Sequence, residues 1–247
     1  MRSSTRLPTL ALTCLLVASA RAQPGPQPVP QTAPARHADT GIELGFRIGY
    51  GIPAGTTDGS VALSNRFTGV VPIIFDLGYR LHRRVYLGAF FQYGIGFVNE
   101  GSGGLANICA QQGYHCSSSI LRFGGDVRFH VMPGRKVNPW LGAGLGYEKM
   151  SFDAHIAVNE LTPSQDVHAT ASGIEFLHLD AACDYRLAAN LFIGPFISVS
   201  VARYLNEELT FPESGQRLPF VRSVDIPNSA IHEWIMLGLR ASYLIVL

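Results

Sequence analysis

From Gly41 to the last residue the chain repeats one pattern: an apolar side chain at every second position, with glycine or a charged residue between. The stretch SILRFGGDVRFHV, Ser119 to Val131, shows it plainly. Leu121, Phe123, Val127, Phe129 and Val131 alternate there with Arg122, Gly124, Asp126, Arg128 and His130. A period of two belongs to an extended strand, whose successive side chains point to opposite faces. The pattern predicts a strand with one apolar face and one face of glycine and charge.

Seven further segments carry the same alternation. They are GIELGFRIGYGI from Gly41, VVPIIFDLGYRL from Val70, VYLGAFFQYGIGFV from Val85, and WLGAGLGYEKM from Trp140. The rest are GIEFLHLDAACDYRL from Gly173, LFIGPFISVSVARY from Leu191, and EWIMLGLRASYLIVL from Glu233 to the end. Connections alternate in length. Short ones lie at His82 to Arg84, Met132 to Asn138 and Ala188 to Asn190. Long ones lie near Pro53 to Thr68, Asn99 to Ser118, Asp153 to Ser172 and Asn206 to Ile231. Eight strands joined this way place both termini on the short-turn side.

Two architectures use such strands. A soluble sandwich packs its apolar face on a core and wets the other. A membrane barrel turns its apolar face to lipid and its polar face to the lumen. Glycine decides between them. It weakens a solvated strand, yet it is needed inside a narrow barrel, where small residues must sit beside large ones. The chain has 26 glycines, and the polar faces of its strands are rich in them. No run of 18 apolar residues offers a spanning helix. Tyr50, Tyr79, Tyr93, Tyr147, Tyr185, Tyr204 and Tyr243 fall toward strand ends, as an aromatic girdle requires. The expected fold is all-β: an eight-stranded antiparallel up-and-down transmembrane β-barrel over residues 41–247.

The N-terminus reads as an address. Arg2 and Arg6 precede an apolar run too short to span a bilayer, and Ala20-Arg21-Ala22 is a small-residue cleavage site. Residues 1–22 are therefore expected to be a secretory signal peptide. Residues 23–40, rich in proline and without apolar periodicity, read as an extended disordered periplasmic linker. Removing three arginines and no acid turns the net charge of +1 slightly negative, which gives no nucleic-acid footprint.

The polar face holds twelve charges. They are Glu43, Arg47, Asp76, Arg80, Arg122, Asp126, Arg128, Glu148, Asp180, Asp184, Arg186 and Arg240. Six are basic and six acidic, a balance expected of charges buried together, since an unpaired one costs several kcal/mol (~3–5). Phe90, Trp140 and Trp234 add bulk to the same face. A barrel so filled is expected to conduct little until Arg122 and Arg128 are truncated. Its glycines are expected to make room for arginines rather than to leave a thread of water.

Candidate chemistry elsewhere is sparse. There is no Gly-x-Ser-x-Gly elbow and no His-Glu-x-x-His, and the serine run Ser117 to Ser119 beside His115 makes no triad by adjacency. No catalytic residue and no cofactor is expected. Cys109 and Cys116 share one long loop of a protein expected to leave the cytoplasm, so a disulfide is expected. Asp153-x-His155 and Asp166-x-His168 flank Pro163. A hairpin there would bring both pairs together as a divalent-cation site, against the plainer reading of a polar face on an exposed ribbon.

The signal peptide, the eight strands and ELGFRIGYGIPAG with its glycine-tyrosine-glycine run resemble the small outer-membrane barrels of the OmpA/OmpX type. The resemblance covers Gly41 to Leu247 and implies an outer membrane of a Gram-negative-type cell. It also implies a monomer in contact with outer-membrane lipid and lipopolysaccharide, and with the barrel-insertion machinery during assembly. Such barrels usually end in an aromatic residue, whereas this sequence ends in Leu247. Three functions follow from such a barrel: a structural or surface-binding role through long extracellular loops, a narrow diffusion channel for small solutes, and a lipid- or peptide-modifying enzyme. The first is the expected one.

Overall fold

The computed structural model describes residues 40–57, 62–99, 109, 114–156, 166–211, 220–225 and 230–247. The strands are β1 (Gly41–Gly55), β2 (Phe67–His82), β3 (Val85–Val98), β4 (Tyr114–His130) and β5 (Val137–Ile156). They continue with β6 (Asp166–Arg186), β7 (Leu191–Phe211), β8 (Phe220–Asp225) and β9 (Ile231–Val246). One helical turn, α1 (Leu63–Arg66), leads into β2. The signal peptide and, but for Thr40, the linker lie outside the described residues.

Each of β1 to β7 pairs antiparallel with the next, and β9 pairs with both β7 and β1. Eight wall strands thus close the sheet on itself, which removes its edges. The fold is the expected transmembrane barrel. Its outward face is a continuous apolar belt, with Leu77 and Leu239 each 58% exposed beside Phe75, Phe91, Phe123 and Leu141. A belt of this extent requires lipid as its solvent. Arg47, Arg122 and Arg128, on the opposite face of the same strands, are 0% exposed.

Six of the seven girdle tyrosines stand on the outward face, but Tyr204 is buried in the lumen. Even-numbered residues of β7 point inward there, and Tyr204 follows Phe196, Ser198 and Ser200 in that parity.

The strands run farther than the alternation suggested. β4 begins at Tyr114, β5 continues to Ile156, β6 begins at Asp166 and β7 continues to Phe211. Beyond the belt these segments pair with one another, and β8 adds to β7 in register from Asn206↔Asp225 to Phe211↔Phe220. Much of what reads as long loop is therefore a five-stranded ribbon standing on the long-loop end. Polar residues hide it from the alternation rule, because it meets water on its outer side. Its inner side buries Phe152, Ala154 and Ala169 against Cys109, with Val98, Cys116, Val167 and Leu209 packed around them.

Cys109 and Cys116 form the expected disulfide, Cα to Cα 5.8 Å. Closing so short a span restrains the unfolded chain by about 2–3 kcal/mol in the chain-entropy picture. Both cysteines pack with Phe152, Ala154 and Ala169 on the ribbon, so the disulfide's effect is expected there rather than on the barrel wall. Reduction should leave the barrel's heat-dependent shift in gel mobility unchanged and expose the Cys109–Cys116 segment to protease. Equal proteolysis with and without reductant would refute this.

Candidate functional site

Among the described residues, chemistry is concentrated in the lumen, and the period of two puts it there. Eleven of the twelve predicted charges are buried, and Arg186 is half-buried at the short-turn end, its guanidinium 5.1 Å from the Phe192 ring. Glu175 joins them, although the alternation places it on the lipid side. A bulge in β6 explains the reversal. Between Glu175 and Leu177 the pairing with β7 slips by a residue, so Phe176 and Leu177 both face outward. The adjacent apolar pair Phe176-Leu177 was the available signal, since two neighbours on one face require a break in the pleat. His130, His178 and His232 are also buried in the lumen.

The charges pair in layers. At the short-turn end Arg80 donates to Glu43, and Arg240 bridges Glu43 at 3.0 Å and Asp184 at 2.5 Å. Trp140 donates its indole N–H to Asp184 at 3.0 Å. The Trp140 ring lies near the guanidinium groups of both Arg240 and Arg128, each 4.8 Å from its centre. Arg128 holds Asp126 at 2.5 Å and Asp76 at 2.6 Å. Arg47 joins Asp76 at 2.6 Å to Asp180 at 2.9 Å. His178 links Asp180, at 3.0 Å, to Glu175, at 2.6 Å. Arg122 then pairs with Glu175, lies 3.4 Å from Glu148 and donates to Gln92 at 3.0 Å. Glu148 also accepts from Tyr204 and, at 3.3 Å, from the Trp234 indole, and it meets His232 at 3.0 Å. An unbroken run of partners therefore leads from Asp126 to His232.

Above this run the filling becomes apolar. Leu63 of α1 and Phe67 sit inside the barrel with Val70, Ile120, Met150, Ala171, Trp234 and Met236. Leu63, Val70, Trp234 and Met236 are each 0% exposed. Sequence reading missed this stopper because Leu63 and Phe67 lie in what read as the first long loop.

The lumenal glycines are occupied differently from expectation. Aromatic rings, more than arginines, take the space. A Cβ at Gly78 would stand 2.5 Å from the Tyr86 ring, and one at Gly146 would stand 3.2 Å from Phe90. At Gly142 an Arg128 methylene, 3.2 Å from such a Cβ, shares the space with the Trp140 ring at 3.3 Å, while Gly94 meets Val70 and Gly144 meets Asp126.

The two Asp-x-His pairs lie on the ribbon. β5 and β6 pair as expected, with Asp153 opposite His168 and His155 opposite Asp166. The Asp153 carboxylate touches the His168 ring, and both are well exposed. The His155 side chain is exposed, while that of Asp166 lies outside the described residues. Among the described residues no group of three or more His, Cys, Asp or Glu is placed to hold a metal ion. The outer side of this strand pair is a polar face.

No family model and no curated protein matches the chain. Solved structures do. A major outer membrane protein from Thermus thermophilus superposes with a TM-score of 0.52 at 15% identity, over 83% of this chain and 99% of that one. OprG from Pseudomonas aeruginosa gives 0.43 at 12% identity, over 85% and 99%. Ail, the attachment invasion locus protein of Yersinia pestis, gives 0.39 at 12% identity, over 81% and 98%. The first of these likenesses establishes the fold of a small outer-membrane barrel.

Proposed function

We propose that this protein is an integral outer-membrane barrel, exported by its residue 1–22 signal, whose lumen is closed and non-catalytic and whose work is done on its extracellular surface. The observation that carries this reading is a contrast. The lumen is spent on internal pairing, while β4 to β8 extend a ribbon well beyond the apolar belt. Residues such as Asp153, His155, His168 and Ser117 stand exposed on that ribbon, within reach of a partner. Lumenal His178 and His232 are 1% and 0% exposed and sit among carboxylates, which leaves no approach for a substrate. The fold shared with a major outer membrane protein of Thermus thermophilus supports the location. Short turns then face the periplasm and the ribbon faces outward. The lipid around the belt would be phospholipid below and lipopolysaccharide above, and the chain would act as a monomer.

Orientation is the testable core. Asp153→Cys should react with a membrane-impermeant maleimide on intact cells. Arg135→Cys, on a short turn, should react only after the cells are permeabilised. The reverse pattern would overturn the surface assignment.

A further inference from the structure

The short-turn end carries a feature that the closed lumen does not use. The β2–β3 turn presents His82, Arg83 and Arg84, and the β4–β5 turn presents Arg135 and Lys136. These turns stand side by side, because β3 pairs with β4 and the His130 amide donates to the Arg84 carbonyl at 2.8 Å. Each turn is braced. The Arg84 amide donates to His82 Nδ1 at 3.4 Å, and the Met132 amide donates to Asn138 Oδ1 at 3.2 Å. Gly134, at φ 79°, takes the left-handed conformation that the second turn needs.

Between the turns lies an open groove of about 720 Å³ lined by His82, Arg83, Arg84, Val131, Met132, Pro133 and Arg135. Neither turn contains Asp or Glu, so the cationic side has no acid within its own turns. Asp126, Asp184 and Glu43 belong to the lumenal pairs. Its apolar side is continuous with the lipid-facing belt through Leu81, Val131, Met132 and Val137, all exposed. Lys136 extends the cationic row along the wall, its ammonium 5.0 Å from the outward-facing Tyr185 ring.

From this juxtaposition we infer that the groove between the two turns holds an anionic glycerophospholipid of the adjoining leaflet. The phosphate sits against Arg84 and Arg135, and the acyl chains run up the apolar wall. A free phosphate ester would use the arginines and leave Val131, Met132 and Leu81 unused. A zwitterionic lipid would use the wall and bring no net negative charge to the guanidinium groups. The anionic lipid alone satisfies both halves, since basic side chains at an anionic leaflet each add attraction. The inference rests on the barrel standing in a bilayer with these turns at one membrane surface.

The test is native mass spectrometry of the full-length protein in zwitterionic detergent micelles titrated with phosphatidylglycerol or phosphatidylcholine. Phosphatidylglycerol should bind about tenfold more tightly. Arg84→Gln with Arg135→Gln should abolish that preference, whereas Lys149→Gln, at the other end of the wall, should keep it. A heat-dependent gel shift checks that each variant has folded. For the unmodified protein, about 1 M salt, where screening acts within about 3 Å, should also erase the preference. Equal binding of the two lipids, a preference surviving the double substitution, or one indifferent to salt would overturn the inference. Displacement by glycerol 3-phosphate at the same concentration would show a site for soluble anions and overturn it equally. Labelling of Arg135→Cys on intact cells would instead refute the orientation and leave lipid selectivity standing.

Discussion

Replacing Arg47 with methionine is expected to destabilise the folded barrel by about 3–5 kcal/mol, the range found when one member of a buried ion pair is removed. Arg47 is fully buried and joins Asp76, at 2.6 Å, to Asp180, at 2.9 Å. Methionine fills much of the same volume, so the loss comes from charge rather than from a cavity. Asp76 keeps Arg128 and Asp180 keeps His178, which places the effect toward the lower end of that range. Phe196, whose ring lies 5.5 Å from the guanidinium, loses a cation–π partner as well. Urea titration of the micelle-bound protein, followed by the fluorescence of lumenal Trp140 and Trp234, measures the change. A loss below about 1 kcal/mol, the value of an exposed pair, would mean that water reaches these charges and that the lumen is open.

The second large effect is on conductance. The wild-type barrel should pass almost no current in a planar bilayer. Eight strands enclose a space that side chains can fill, and here ionic pairs and aromatic rings fill it. From the sequence, truncating Arg122 and Arg128 is expected to open a path. The structure revises that outcome. Both arginines lie below the layer of Leu63, Phe67, Val70, Ile120, Met150 and Trp234, whose side chains all remain when the arginines are truncated, although Met236 loses its Arg122 neighbour at 3.6 Å. Arg122→Ala with Arg128→Ala should therefore remain nearly silent. Adding Trp234→Ala, which removes the ring packed 6.0 Å from Phe67, should give resolved single-channel events. The gel shift must confirm that the triple variant folds, since burial of a tryptophan of this kind is worth about 3–5 kcal/mol. A large steady current from the unmodified protein would make it a pore and displace the closed-lumen reading.

The candidate site was legible in the sequence wherever the pleat stayed regular. Glu43, Arg47, Asp76 and Arg80 on two strands fall inside as parity dictates. Parity failed at Glu175, where one bulged residue reverses the faces that precede it on β6. The Phe176-Leu177 doublet marks the place but does not say which side of it keeps the expected face. Partners were not legible at all. Arg47 pairs with Asp180 across 133 positions of chain, and Arg240 with Glu43 across 197. Such pairs depend on how far the closing strands are staggered, a property of the whole ring.

By itself the sequence determined eight strands, their two faces and the disulfide of Cys109 with Cys116, because each is fixed by local spacing, whereas the even balance of charge it suggested becomes seven acids to six bases once Glu175 turns inward. Side-chain direction in a strand repeats every two residues whatever the rest of the chain does. Tertiary structure alone decided the apolar stopper, the ribbon carried past the membrane, and the groove between Arg84 and Arg135. All three arise where segments distant in sequence come together. Leu63 is apolar in any loop, but it becomes a stopper only when α1 folds into a closed barrel beside Trp234. Arg84 and Arg135 are ordinary turn residues until β3 pairs with β4 and sets their turns side by side next to the apolar belt.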